Sequence, residues 1–178
     1  PSVRNLAEKS ARGEIRITPP VKPHLEDKLW LALLWSPALK KVWEQALRGS
    51  HLSRLHELVP FSWVLDPTPL PPHAALPRLN AHSWQEVAHF SQKERHLVLK
   101  VSGFHETAWG SRGVFIGHDL PAAEWSKRLE TALAQSSEQP WLLQEFKEGR
   151  RLTHPVFRDD GSVEMMTGRA RLCPYFFT

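Results

Sequence analysis

His96-Leu97-Val98-Leu99-Lys100, a loop carrying Ser102, Gly103, Gly110, Ser111, Arg112 and Gly113, and the later run Trp141-Leu142-Leu143-Gln144-Glu145-Phe146 form the series on which the reading of this chain turns. The apolar runs read as strands, Leu97 to Val101, Val114 to Ile116 and Trp141 to Phe146. Lys100 near the end of the first has its stem packed and its ammonium at the sheet edge, where its charge suits a phosphate. The glycines permit positive φ and close backbone approach, so that successive N–H groups can point at phosphate oxygens. Arg112 sits beside them as a second cation. A loop of this length in a compact domain is more often functional than idle. It is not a P-loop, because no Gly-Lys-Ser/Thr leads into a helix. Gln144-Glu145 would offer backbone N–H and C=O groups to a purine edge, with the carboxylate holding ribose hydroxyls.

Working outward, residues 1–20 are polar and basic with weak periodicity and end at Pro19-Pro20, which predicts an extended or partly ordered lead-in. Residues 21–60 read as a helical lobe. His24 to Trp35 is helical and apolar on more than one face, so a buried helix is expected. Ser36 and Pro37 then supply an N-cap and a first-turn proline. The stripe Leu39, Val42, Trp43, Ala46, Leu47 follows, closed by Gly49, and a short helix runs from Leu52 to Leu58. Residues 61–82 read as a strand, Phe61 to Leu65, and a stiff proline-rich connector, Pro67 to Pro77.

Residues 83–178 read as an α+β lobe. Ser83-Trp84-Gln85-Glu86 is a capping box opening a helix to about Phe90. A helix from Asp119 to Ala134 carries the stripe Trp125, Leu129, Ala132, Leu133. Thr153–Phe157 and Val163–Leu172 are strands joined by the turn Asp159-Asp160-Gly161. The order predicts an α+β fold: a helical lobe, then a largely antiparallel sheet with packed helices.

The 178 residues carry a net charge of +4, which favours an anionic partner, and nucleotide phosphates satisfy that as well as nucleic acid does. The basic residues are spread along the whole chain, without aromatic–basic stacking on one strand pair, so nucleic acid is disfavoured. The longest apolar stretch, Leu29 to Trp35, is too short to cross a bilayer, and no membrane partner is expected. The single cysteine, Cys173, leaves no internal disulfide framework, reads as a small buried residue and fits a reducing, cytoplasmic compartment. Most of the eight tryptophans read as core. The start without methionine and the apolar end Pro174-Tyr175-Phe176-Phe177-Thr178 lead us to expect a piece of a larger protein, with the rest of the parent chain as a partner.

The lysine, glycine loop and Gln-Glu series resembles the ATP-grasp fold, and specifically its glutathionylspermidine synthase-like, circularly permuted branch. The resemblance covers about residues 20 to 172 and rests on short, degenerate motifs. In that branch a segment similar to Pro20-Val21-Lys22-Pro23-His24-Leu25-Glu26-Asp27-Lys28-Leu29-Trp30 precedes the helical lobe. The resemblance implies that Lys28 and Lys100 reach nucleotide phosphates and that Gln144, Glu145 and Phe146 form the adenine and ribose hinge. It implies ATP-dependent activation of a carboxylate as an acyl phosphate, which an amine attacks to form a C–N bond. Positioning and charge neutralisation carry such catalysis. Arg169 and Arg171, which alternate along one strand face, are the expected substrate- or phosphate-facing pair.

The chain departs from the pattern at the metal. Mg²⁺ needs an acidic constellation and an asparagine, yet after the hinge come only Glu148, Asp159, Asp160 and Glu164, without ligand spacing. The metal ligands are therefore expected outside this segment or lost, and the segment alone is not expected to catalyse. The competing reading is a non-catalytic nucleotide-binding or protein-interaction domain of the same fold. The ten histidines show no zinc spacing. Neither Ser102 nor Ser111, both near His105, sits in a nucleophile elbow.

Overall fold

A computed structural model describes residues 2–18, 23–103, 105–108 and 110–170 of the chain. It is a mixed structure of helices and antiparallel sheet in two compact units, Pro23–Phe146 and the combination of Pro1–Lys22 with Lys147–Thr178. The helical lobe and the central sheet therefore share one unit, and the last hairpin belongs to the other.

In the larger unit the strands are β1 (Ser62–Val64), β2 (Leu97–Val101), β3 (Val114–Ile116) and β4 (Trp141–Glu145). They form one sheet in the order β1-β4-β2-β3, antiparallel throughout. Strand alternation sorts the side chains into two faces. Trp63, Leu143, Leu99 and Phe115 lie in register on the first, flanked by Leu97, Val101 and Trp141. Ser62, Gln144, Val98 and Ile116 form one row on the second, and Val64, Leu142, Lys100 and Val114 form the next.

The first face is the hydrophobic core. It packs against α5 (Trp84–Ala88) and α6 (Ala122–Gln135), whose Val87, Trp125, Leu129 and Ala132 are fully buried. The α6 stripe at i, i+4, i+7 and i+8 is the set of residues the helix buries. The Trp125 indole donates to the Val87 carbonyl at 2.9 Å, so burying that ring leaves no polar atom unmet. Ser83 caps α5 through a 3.2 Å bond from the Glu86 amide, and Glu86 accepts from the His82 amide at 3.0 Å. Helix α6 starts later than Asp119, because Leu120 precedes Pro121 and is held extended at ψ 147°.

The lobe of residues 23–58 differs from its expected outline. Instead of one long buried helix there is a 3-10 turn over Pro23–Glu26, a break at Asp27, and the short α2 (Trp30–Leu33), in which only Ala32 is buried. The break has a local cause. The Asp27 carboxylate accepts the Leu29 amide at 2.9 Å, a turn that competes with helix. A 3-10 turn over Pro37–Leu39 leads into α3 (Lys40–Ala46), and α4 spans Gly49–Leu58. Gly49 opens α4 and does not close α3, because Leu47 and Arg48 already leave helical geometry. Trp63, Trp84, Trp125 and Trp141 are core, whereas Trp30 is 41% exposed.

In the other unit, the expected lead-in contains a helix, α1 (Val3–Ala11). Ser2 caps it by accepting the Asn5 amide at 3.3 Å, and Arg4 pairs with Glu8 one turn later at 3.0 Å. Strands β5 (Arg151–Phe157) and β6 (Val163–Arg169) form an antiparallel hairpin around Gly161 at φ 82°. Arg171 and Cys173 lie outside the described residues.

Leu99 is fully buried at the sheet centre. Leu99→Ala is expected to cost about 2–5 kcal/mol in urea unfolding. A loss well under that range would show that this face is not close-packed.

Candidate functional site

The second face of the sheet is where the candidate site lies. Helix α2 packs on β1 and β4. The turn before it is tied to the end of β2 by one carboxylate. Asp27 Oδ1 accepts the Ser102 hydroxyl, the Gly103 amide at 3.2 Å and the Leu29 amide at 2.9 Å. Gly103 takes φ +70°, a conformation that favours glycine, and its amide meets the carboxylate there. Burial by itself pushes the Asp27 carboxyl up. The Ser102 hydroxyl, the two amides and the Lys28 charge outweigh it, leaving the group below the ordinary aspartate range.

That tie brings Lys28 to Lys100. Lys28 Nζ donates to the Ala108 carbonyl, and Lys100 Nζ donates to the Gln144 side-chain carbonyl. Gln144 is buried, and its amide nitrogen donates to the Ser62 hydroxyl at 2.8 Å, which in turn donates to the Pro60 carbonyl at 2.9 Å. Lys100 is thus the open end of a polar chain crossing β2, β4 and β1. Burial, and then the like charge of Lys28, hold its ammonium below the ordinary lysine value. Among the described residues, no ion pair engages either lysine. Two half-buried cations thus stand close enough for each other's charge to be felt, with Asp27 beside Lys28.

The structure thus gathers Lys28, Lys100, Ser102, Gly103 and Gln144 into one place. It puts the other expected residues elsewhere. Glu145 alternates onto the opposite face, beside Leu97, and pairs with Arg78 at 3.1 Å. Because β4 is flanked on both sides, the hinge amides are engaged within the sheet: Glu145 N–H donates to Phe61 O and Phe146 N–H to His96 O, each at 2.9 Å. Phe146 meets the His118 ring edge-on at 4.6 Å, and His118 stacks on His96 at 4.7 Å.

The described part of the glycine loop holds a 3-10 turn over Glu106–Ala108. Arg112 donates to the Glu106 carbonyl at 2.7 Å. Gly110 and Ser111 both take φ +62° on the exposed outer part of the loop. Gly113 is buried, and a Cβ there would run into the Val101 side chain and the Thr107 carbonyl, so its role is close packing. Arg169 belongs to the other unit, where it pairs with Glu148 and donates to the Gly149 carbonyl at 3.1 Å. Arg171 lies outside the described residues.

Three of the acidic residues after the hinge are engaged as well. Glu148 and Glu164 pair with Arg169 and Arg158, and Asp160 accepts the Ser162 amide at 2.9 Å. Among the described residues no group of three or more His, Cys, Asp or Glu is placed to hold a metal ion. No helix among them is long and apolar enough to cross a membrane.

Asp27 and Ser62 are the residues that reading the sequence missed. Asp27 had a signal, standing directly before the singled-out Lys28. Ser62 had none, because its part depends on β1 pairing with β4. The chain matches no family model, no curated protein and no solved structure.

The Asp27 tie has a pH signature. A carboxyl with a depressed folded pKa stabilises the fold above its unfolded value, near about pH 4, and loses that contribution as pH falls through the folded value. Asp27→Ala should cost about 1–3 kcal/mol at neutral pH, with the gap to the native sequence closing in acid. An equal gap at both pH values in chemical denaturation would contradict this role.

Proposed function

We propose that the Lys28–Lys100 site binds the phosphate groups of ATP, and that the chain is the nucleotide-binding part of an ATP-grasp-type carboxylate–amine ligase. The observation that supports the reading is the pairing of two half-buried lysines, from different elements, neither held in an ion pair among the described residues and with the Asp27 carboxylate already taken by the Ser102, Gly103 and Leu29 donors. A protein that holds two like charges together raises its own energy, and an anion bound between them lowers it. The pair suits the negative charge of a polyphosphate better than a single carboxylate.

In this reading a substrate carboxylate oxygen attacks the terminal phosphorus of ATP. The bond from that phosphorus to the bridging oxygen breaks and ADP leaves, giving an acyl phosphate. The amine nitrogen then attacks the acyl carbon, inorganic phosphate departs, and the amine loses a proton as the C–N bond forms. Lys28 and Lys100 neutralise charge and position the phosphates, which is what this chemistry most needs. Gln144 orients Lys100 through its side-chain carbonyl.

The described residues do not fit an Mg²⁺ site, since Asp27 is bound by Ser102 and Gly103 and Glu145 by Arg78. The reading assigns Mg²⁺ coordination to other parts of the whole protein. The base contacts also differ from the expected hinge. The Glu145 and Phe146 amides serve the sheet, so the reading rests on phosphate recognition and not on a purine edge.

Calorimetric titration tests it. ATP should bind more tightly than adenosine, and Lys100→Ala should weaken ATP by about tenfold or more, the worth of a charge-assisted hydrogen bond. Equal affinity for ATP and adenosine, or an unchanged affinity in Lys100→Ala, would overturn the proposal.

A further inference from the structure

A groove of about 450 Å³ opens in the Pro23–Phe146 unit between the start of the helical lobe and the proline-rich connector. That volume is in the range that holds a small organic molecule. Its walls include Trp35, Phe61, Trp63, Trp84 and Leu70. Each indole N–H already has an acceptor within the protein: Trp35 donates to Pro60 O at 3.1 Å, Trp63 to Pro77 O at 2.9 Å and Trp84 to Asp66 O at 2.9 Å. The aromatic walls therefore present ring carbon and no indole donor, with Trp63 and Trp84 showing only 6% and 8% of their surface. The Ser62 hydroxyl is likewise engaged, accepting from Gln144 and donating to Pro60.

Among the described residues lining the groove, Asp66 alone is charged. The Thr68 hydroxyl and amide hold its carboxyl below the ordinary aspartate range, so it is ionised at neutral pH. The Thr68 amide occupies one lone pair of Oδ1 at 2.9 Å. A carboxylate has about four acceptor positions, so capacity remains beyond the Thr68 amide and hydroxyl, on an exposed side chain.

Charge decides among ligands here. An acid would meet a negative charge and no lining cation. A neutral apolar molecule would leave the carboxylate without a counter-charge. A cation with an apolar body meets both demands: its charge is met by Asp66, and aromatic walls attract cations as well as apolar surface.

The geometry points to an organic-cation site: an amine or quaternary ammonium group at Asp66, with its apolar body among Trp35, Trp63 and Trp84. This site stands apart from the nucleotide reading and does not depend on it.

Three probes with one shared body, phenylbutylamine, phenylbutanol and phenylbutyrate, separate the alternatives. Indole N–H signals in proton–nitrogen correlation spectra report where each binds. The amine should shift Trp35, Trp63 and Trp84 but not Trp125, which does not line the groove. It should bind roughly tenfold more tightly than the alcohol, with the acid weakest. Asp66→Asn keeps an acceptor for Thr68 and should abolish the preference for amine over alcohol. Equal binding of the three probes to the unaltered protein would overturn the proposal, whatever the variant does. So would an amine preference that survives Asp66→Asn, or no shift at those three indoles at millimolar amine.

Discussion

The Asp27 carboxylate is the constraint on which the candidate site depends. It accepts three donors, two of them from the segment just after β2 and one from its own turn. Those bonds stop a helix from running through residues 24–35 and fasten the turn to the end of β2. Lys28 follows directly in the chain, so the same fastening delivers its ammonium to the neighbourhood of Lys100. Hydrogen bonds to an ionised acceptor are among the stronger ones, which is what holding two like charges together demands.

The lysine pair itself works against the fold. Lys100 sits below its ordinary pKa because burial and Lys28 both disfavour its charge. Between the depressed folded value and the unfolded one, the unfolded chain binds more protons, so the Lys100 contribution improves as pH rises through that window. In the proposed reading this cost is charge arranged ahead of an anionic ligand. Gln144 and Ser62 finish the arrangement by giving Lys100 a neutral acceptor that is itself held from behind. A carboxylate at position 144 would neutralise Lys100.

Local sequence patterns exposed much of the scaffold. The runs Leu97–Val101 and Val114–Ile116 are strands, and Trp125, Leu129, Ala132 and Leu133 are the buried stripe of α6. The turn at Gly161 closes the last hairpin. What stayed hidden depends on contacts distant in sequence. Strand order β1-β4-β2-β3 places β4 inside the sheet, so its edges are occupied, and no pattern within Trp141–Glu145 reveals that. The alternation separating Gln144 from Glu145 was legible in principle. Reading the two as one hinge overlooked it, and the structure sends them to opposite faces. Asp27 escaped because an aspartate within a helical pattern looks like an ordinary polar residue until its partners, Ser102 and Gly103, come into view. The glycines of the loop suggest from sequence alone a backbone facing phosphate, yet Gly113 is packed against Val101.

We propose that Lys28 and Lys100 form one coupled anion receptor. The direct test is an NMR titration of the lysine ε-methylene signals in the native sequence, in Lys28→Met, and in the presence of inorganic triphosphate. Lys100 should titrate below the ordinary lysine value, move upward in Lys28→Met, and move upward in the native sequence when triphosphate is bound. A Lys100 that titrates at the ordinary value and ignores both changes would contradict the account.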